Sequence, residues 1–363
     1  MTQFPHKQRL HRFQQHLKSQ EAALVSKPID IHYLTGFPQL APTEREAFLL
    51  IKPKKSFLFH HSFSPILSNK TWLTNIPKTN LENIVLNLRN TKKLLLDEHT
   101  LTVAEFNQLK KLTNCSFEAL TQHWIWQQRT IKEPPEIKLM KQAGKIAYKV
   151  FTEIRQQLKV GMTEQTVANK IIQLILKKQA IGQAFPTIVA FGKNGALPHY
   201  QPGTVKLKPE TPILLDFGAN VDGYYSDMTR TIWFGKQPSK KFLQVEQVVQ
   251  KAYEQTLLKL KNRRTKSTTK NQPVELTAKD LDGAARGVIA NHGFINQFIH
   301  TTGHGLGLEI HEPPSLFWQN DALIKPGMII TIEPGIYLPG EFGYRHENTV
   351  LVTNKGAKIL TTA

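Results

Sequence analysis

The spacing of apolar and polar positions changes character near residue 128. Before it, apolar runs of strand length, AALVSK (22–27), AFLLIK (47–52), FLFHH (57–61) and KLLLDE (93–98), are interleaved with segments of helical spacing. HRFQQHLKS, LENIVLNLR and LTVAEFNQLKKL carry that spacing, and the last opens with Thr102 and Glu105 in a capping-box pattern. Alternating strands and helices predict an α/β layer domain over residues 1–127. Residues 128–136 read as a linker, with Pro134-Pro135 where proline is tolerated, in the first turn of a long amphipathic helix ending at Gly161. A second helix is predicted from Thr163 to Lys178, capped by Thr163. From Pro186 onward β-hairpin patterns dominate: TPILLDFGANVDGYYSDMTRTIWFG, MIITIEPGIY and YRHENTVLVT. Helical segments at roughly 239–262 and 277–292 separate them. Two helices, two strand groups, two more helices and two more strands predict a duplicated α+β unit around one sheet, over residues 137–363.

Composition narrows the class of protein. At 363 residues and 40% apolar, the chain can bury the cores of two domains, and wholesale disorder is excluded. Cys115 is the one cysteine, which excludes an intramolecular disulfide and a Cys-based zinc cluster and fits a reducing, cytoplasmic compartment. The first twenty residues carry basic side chains without an apolar stretch behind them, and no run approaches the roughly 18–20 apolar residues of a membrane span. Neither a signal peptide nor membrane association is therefore expected.

The formal charge is +19, from 47 Lys+Arg against 28 Asp+Glu, which raises the question of a polyanionic partner. The excess is distributed, net +8 in residues 1–130 and net +11 in residues 131–363. One stretch concentrates it: Lys259, Lys261, Arg263, Arg264, Lys266 and Lys270, with no acid from Gln255 to Val274. It contains no aromatic for base stacking and reads as a solvated basic loop between two helices. Nucleic-acid binding is expected to be weak and salt-sensitive.

Candidate chemistry begins with Asp216 and Asp227. The runs ILLDFGAN and YYSDMTRTIWF flank VDGY, and Asp-Gly is a strong hairpin signal. With Asp222-Gly223 as a two-residue turn, Asp216 faces Thr229 and Asp227 faces Gly218, and all four side chains share one face. The two carboxylates become diagonal neighbours, with Cα atoms roughly 7–8 Å apart. Set among Leu214, Leu215, Phe217 and Met228, they need a counter-charge, which a metal pair would satisfy. On this motif alone, two solvent-facing aspartates on an edge hairpin fit equally well. Gly218 is expected to leave the face open. GHGLGLEIHEPP (303–314) sets His304 between glycines, with His311 seven residues on. A lone histidine is usually a satisfied structural residue; two in a glycine-rich segment are candidates. Glu333 ends the run MIITIE and Glu347 heads TVLVT, both at strand ends where an acid can point inward.

NGALPHYQPG, LLDFGANVDGYYSDMTRT, GHGLGLEIHEPPSL, KPGMIITIEPGIYLPG and YRHENTVLVT together resemble the pita-bread metallopeptidases, in their Xaa-Pro branch of aminopeptidase P and Xaa-Pro dipeptidase (prolidase). ALVSKPIDIHYLTGF and LLLDEHTLTVAEFNQLKKL resemble the N-terminal domain of the same creatinase/prolidase-like proteins. The resemblance implies an α+β fold: a pita-bread catalytic domain with a curved antiparallel sheet, behind a smaller α/β domain. It implies two divalent ions, held by Asp216, Asp227, His304, Glu333 and Glu347, with Asp227 and Glu347 bridging. Oxygen-rich ligands suit Mn²⁺, with Co²⁺ or Zn²⁺ as alternatives. Two ions about 3.5–4 Å apart can hold a bridging hydroxide as nucleophile. By the same resemblance Glu333 shuttles the proton, His199 and His311 line the active site and bind substrate, and Arg345 sits beside the bridging glutamate, able to contact substrate or partner carboxylates. The implied reaction is removal of the first residue from peptides with proline second, by a homodimer.

Departures from the family pattern touch the finer assignment. Ser315 follows HEPP where some prolidases carry an arginine for the dipeptide's carboxylate, which favours an Xaa-Pro aminopeptidase over a strict dipeptidase. Asn348 stands where many members have Asp and His346 replaces a commoner aliphatic; little effect is expected from Asn348. Two other readings have distinct signatures. An idle pita-bread module that binds nucleic acid or protein would lack ligands, and none is lacking here. A methionine aminopeptidase would lack the N-terminal α/β domain.

Overall fold

The four apolar runs of the N-terminal part form adjacent strands of one sheet. The computed structural model describes residues 4–38, 45–64, 70–121, 123–262 and 275–363, and divides into two units, Met1–Arg129 and Thr130–Ala363. In the first unit the strand order is Thr74–Ile76, Ser56–His60, Ala47–Ile51, Glu21–Val25, Lys93–Leu96 and Ser116–Ala119. Glu21–Val25 runs antiparallel to Ala47–Ile51 and parallel to Lys93–Leu96, so the sheet is mixed. Both alternating sets of the central strands are buried, Ala22 and Leu24 as well as Ala23 and Val25. That is why these strands read as unbroken apolar runs. One set packs with Leu81, Ile84 and Leu109 of the helices Leu81–Leu86 and Val103–Leu112. The Thr102/Glu105 capping box forms. The helix expected at HRFQQHLKS lies earlier, at His6–Gln14, where Arg9, Leu10 and Phe13 make its buried face.

A helix His123–Thr130 is followed by the helix Pro134–Gln157, so the residues between them are 131–133, inside the span expected as a linker. Glu133 and Glu136 cap the second helix, with proline in its first turn. It ends four residues before Gly161 because Leu158 turns extended and the Gly161 N–H pairs with the Leu207 carbonyl. The next helix, Glu164–Lys177, is capped by Thr163, whose hydroxyl accepts from the Thr166 N–H.

Beyond these helices the second unit repeats a theme. The hairpin Thr211–Phe217 with Met228–Phe234 is flanked by Ile188–Phe191 in a three-stranded antiparallel sheet. The helices Lys240–Lys261 and Ala278–Asn291 follow, then an antiparallel sheet in the order Glu312–Leu316, Gly303–Gly305, Ile329–Ile332, Asn348–Thr353 and Gly356–Ile359. The basic segment that the sequence singles out lies outside the described residues from Arg263 to Val274; Lys259 is paired with Asp280. Tyr253, Leu257 and Leu260 of the first of these helices pack with Ile330, Ile332, Val350 and Val352 of the sheet.

Where one sheet is expected, backbone ladders form separate sheets, and threonine side chains join them. The Thr349 hydroxyl accepts from the Asp227 N–H at 3.0 Å and donates to the Asp227 carbonyl at 2.8 Å. Thr231 does the same for Arg345, at 3.1 Å each way. The Glu347 N–H reaches the Thr229 carbonyl at 3.1 Å. These rungs set the first hairpin beside the strand that Glu347 heads.

Candidate metal centre

The hairpin register follows from its turn. Asp216 pairs with Thr229 and Val221 with Tyr224, with Asp222 and Gly223 both at positive φ in the turn. Gly218 serves a different purpose from the open face expected. A Cβ there would lie 1.7 Å from the Ser226 carbonyl oxygen, so glycine permits two backbones to touch where the hairpin bends. The bend passes the strand pair from one sheet to the next and leaves Asp216 and Asp227 buried.

His304 is placed by similar crowding. A Cβ on Gly303 would lie 2.2 Å from the Thr331 carbonyl, and one on Gly305 would lie 2.4 Å from the Pro313 carbonyl. The His304 N–H donates to the Thr331 hydroxyl at 3.0 Å, and that hydroxyl donates to Glu333 Oε1 at 3.0 Å. One threonine thus orients two candidate ligands. His304 Nε2 stands 3.3 Å from Glu333 Oε1 and 3.6 Å from Asp227 Oδ2. Asp227, His304 and Glu347 each offer a ligand atom within 4.8 Å of the others. Glu347 is buried, accepting from the Thr229 hydroxyl at 2.6 Å.

Arg345 is held by three bonds: Nε to the Thr229 hydroxyl at 3.0 Å, Nη1 to Tyr337 at 2.5 Å and Nη2 to Asp216 Oδ2 at 2.5 Å. His311 lies at the exposed edge, its ring 4.5 Å from that of His304. His199 is exposed on the segment after the turn Gly192–Ala196.

Three buried carboxylate oxygens find no hydrogen-bond donor among the described residues: Asp216 Oδ1, Asp227 Oδ1 and Glu347 Oε1. Buried carboxylate oxygens are ordinarily paired, and a cation meets the same need. The donor set of carboxylates plus one imidazole suits a hard divalent ion. Electrostatics agree. Burial, then the charge of Asp216, pushes the Asp227 carboxyl well up; burial, then the charge of Asp227, does the same to Glu347. Burial opposes charge on His304, but the hydrogen bond and charge of Glu333, with the charge of Asp227, outweigh it and raise the imidazole to about 9. In the absence of a metal, His304 thus carries a proton at neutral pH beside the Glu333 carboxylate.

Buried antiparallel strands around a cluster of inward carboxylates and one histidine define a metal-dependent hydrolase, and the relatives of the chain give the family. Residues 138–354 match metallopeptidase family M24 and residues 9–131 match the creatinase/prolidase N-terminal domain, so the chain belongs to the M24 metallopeptidases. An uncharacterized peptidase of Staphylococcus aureus is 35% identical over 345 residues, 94% of each chain. Among solved structures, an Xaa-Pro dipeptidase from Bacillus anthracis superposes with a TM-score of 0.86 at 27% identity, covering 99% of this chain and 98% of its own. A prolidase from Thermococcus sibiricus gives 0.85 at 33%, covering 99% and 98%. An X-Pro aminopeptidase from Thermotoga maritima gives 0.81 at 29%, covering 97% and 98%. The α+β fold is that of the pita-bread Xaa-Pro branch, and the protein is a metallo-exopeptidase.

Sequence reasoning singled out neither His300 nor Tyr337. His300 Nε2 meets the Tyr337 hydroxyl at 2.8 Å and its Nδ1 the Thr301 carbonyl at 2.7 Å, completing a line from Arg345 through Tyr337. The hint available was His300 four residues before His304 in an apolar stretch. Asn348, from which little effect is expected, is hydrogen-bonded on both sides of its amide. It accepts from Arg230 at 2.7 Å and Thr361 at 2.9 Å, and donates to the Tyr253 hydroxyl at 2.9 Å. His346 packs edge-on against Tyr253, and burial, with the charge of Arg230, lowers its pKa to about 3. Both residues therefore belong to the buried polar packing behind Glu347.

Proposed function

We propose that the protein hydrolyses the bond between the first residue of a peptide and a following proline, acting as an Xaa-Pro aminopeptidase. The observation that carries the metal-dependent reading is the set of three buried carboxylate oxygens, on Asp216, Asp227 and Glu347, that lack a donor among the described residues. Two divalent ions, with Mn²⁺ the first choice, would be held by Asp216, Asp227, His304, Glu333 and Glu347, Asp227 and Glu347 being shared. When bound, such ions activate water and polarise the scissile carbonyl. Glu333, oriented by the Thr331 hydroxyl, carries a proton to the proline nitrogen, which leaves as the amine while the water oxygen stays on the first residue's carboxylate. Burial, then the charge of His304, lowers the pKa of His311; its imidazole is read as a donor to the developing oxyanion, with His199 as a second histidine lining the site. Arg345 holds Asp216 in place.

The aminopeptidase reading is supported by Ser315, an exposed hydroxyl where a cation for a dipeptide's carboxylate would be needed. The strict dipeptidase reading is supported by the prolidases and dipeptidases among the similar structures. Rates on Ala-Pro and Ala-Pro-Ala with Mn²⁺ separate them: comparable or faster tripeptide cleavage is expected, and cleavage of the dipeptide alone would establish the second reading. Failure on both peptides with Mn²⁺, Co²⁺ and Zn²⁺ would refute the function. The same reading expects a homodimer, measured by sedimentation velocity.

A further inference from the structure

Glu164, the first residue of the helix Glu164–Lys177, is fully buried, and its carboxylate collects four donors from one segment. Oε1 accepts from the Phe191 N–H at 2.8 Å and from Asn194 Nδ2 at 2.8 Å. Oε2 accepts from the Tyr200 hydroxyl at 2.7 Å and from the Gly203 N–H at 3.1 Å. All four donors lie within residues 191–203, whose regular structure beyond the strand end at Phe191 is the short turn Gly192–Ala196. The helix backbone adds two bonds, from the Gln165 N–H to the Gly203 carbonyl and from the Glu164 N–H to the Val205 carbonyl. At the other end of the segment, Gly195 lies against Gly343 on the strand Phe342–Arg345, so closely that a Cβ on Gly343 would stand 1.9 Å from the Gly195 carbonyl oxygen. His199 falls between these two fastenings, next in sequence to Tyr200.

We propose that Glu164 is the positioning residue for His199, its carboxylate fixing the segment that presents the imidazole to substrate. The proposal rests on the reading above that His199 lines the active site. Burying a carboxylate is costly unless each oxygen is well paired, so a helix cap alone does not account for a glutamate here; Thr163 already caps this helix. Four donors converging on two oxygens specify one placement of the segment. Glutamine keeps the size but sets an NH₂ against two of those donors, and a backbone N–H cannot reverse its polarity. A displacement of about 1 Å at a catalytic group can cost up to ~100-fold in rate.

The test compares the metal-loaded wild type with Glu164→Gln, His199→Ala and the double variant, reading kcat and KM on Ala-Pro and Ala-Pro-Ala, bound metal, and amide exchange of residues 192–203 with and without metal. Glu164→Gln is expected to lose about 10-fold or more in kcat/KM, to keep its metal and to exchange faster across 192–203. In the His199→Ala background the same change is expected to add less than about 2-fold, since paired residues acting as one unit are non-additive. An equal loss in both backgrounds, or unaltered exchange across 192–203, overturns the positioning role. His199→Ala as active as wild type overturns instead the reading that His199 serves the reaction. If Glu164→Gln fails to fold, Tyr200→Phe removes one of the four bonds and keeps the carboxylate; a smaller loss that also vanishes with His199→Ala supports the role, and an additive one overturns it.

Discussion

At Asp227 several demands meet in one side chain. Its backbone N–H and carbonyl are both fastened to Thr349, its Oδ2 stands 3.6 Å from His304, and its Oδ1 is buried without a donor among the described residues. Asp227→Ala is expected to abolish stoichiometric metal, measured by elemental analysis. Activity should fall beyond the about 10–100-fold typical of residues behind a ligand; unchanged metal content would refute the centre. Protons give a second check. His304 is held near 9, above its unfolded value of about 6.5, so in the metal-free protein its charged contacts contribute stability fully below about 6.5, and that contribution is lost as pH rises through about 9. Asp227 and Glu347 are pushed upward too, by burial and then by neighbouring carboxylates. Metal loading at pH 7 should therefore release protons, seen by calorimetry in buffers of different ionisation enthalpy, and release fewer as pH rises past 9. Heats independent of buffer would contradict this. Asp216 and Asp227 were legible in the sequence because the hairpin's local spacing fixes their placement; His304 was flagged by its flanking glycines, but contacts with Thr331 and Pro313 place it. His300 and Tyr337 were not legible, because what joins them is a hydrogen bond between residues 37 apart.

Among the elements, the Asp222-Gly223 hairpin was readable from its turn and its alternation, and its register follows from them. The rungs that bring this hairpin to the Glu347 strand were not. Thr231 in a strand reads as an ordinary β-former, yet its hydroxyl substitutes for a ladder bond to Arg345, 114 residues away. Thr231→Val keeps the shape and leaves a buried N–H and carbonyl unpaired. It should cost about 1–3 kcal/mol in urea unfolding with the slope unchanged. A change of only a few tenths would show that the backbone there is satisfied in another way. The helix beginning at Pro134 was legible from its prolines and amphipathic spacing, whereas its end at Gln157 depends on the Gly161–Leu207 pairing, a tertiary contact.

For the molecule as a whole, an acidic, proton-holding centre lies within a chain of net charge +19. Because the metal is expected to bind the folded state alone, Mn²⁺ at about 100 times its Kd should add about 2.7 kcal/mol to stability, read as a rise in thermal midpoint that a chelator reverses. An unmoved midpoint would place the ion outside the folded core. The surface charge makes its own prediction: a short duplex should associate weakly and dissociate at ordinary salt, and tight, salt-resistant binding would give the basic surface a role of its own. Among the described residues no helix is long and apolar enough to cross a membrane. The sequence by itself determined the layer character of both parts, the hairpin that pairs the two aspartates, and the family motifs, because each rests on local spacing and backbone propensity. Only the tertiary structure decided which oxygens lack partners, that Arg345 faces Asp216, and that Glu164 fastens the segment bearing His199. Those are meetings of residues tens to more than a hundred positions apart, governed by burial and hydrogen-bond satisfaction that no short window of sequence contains.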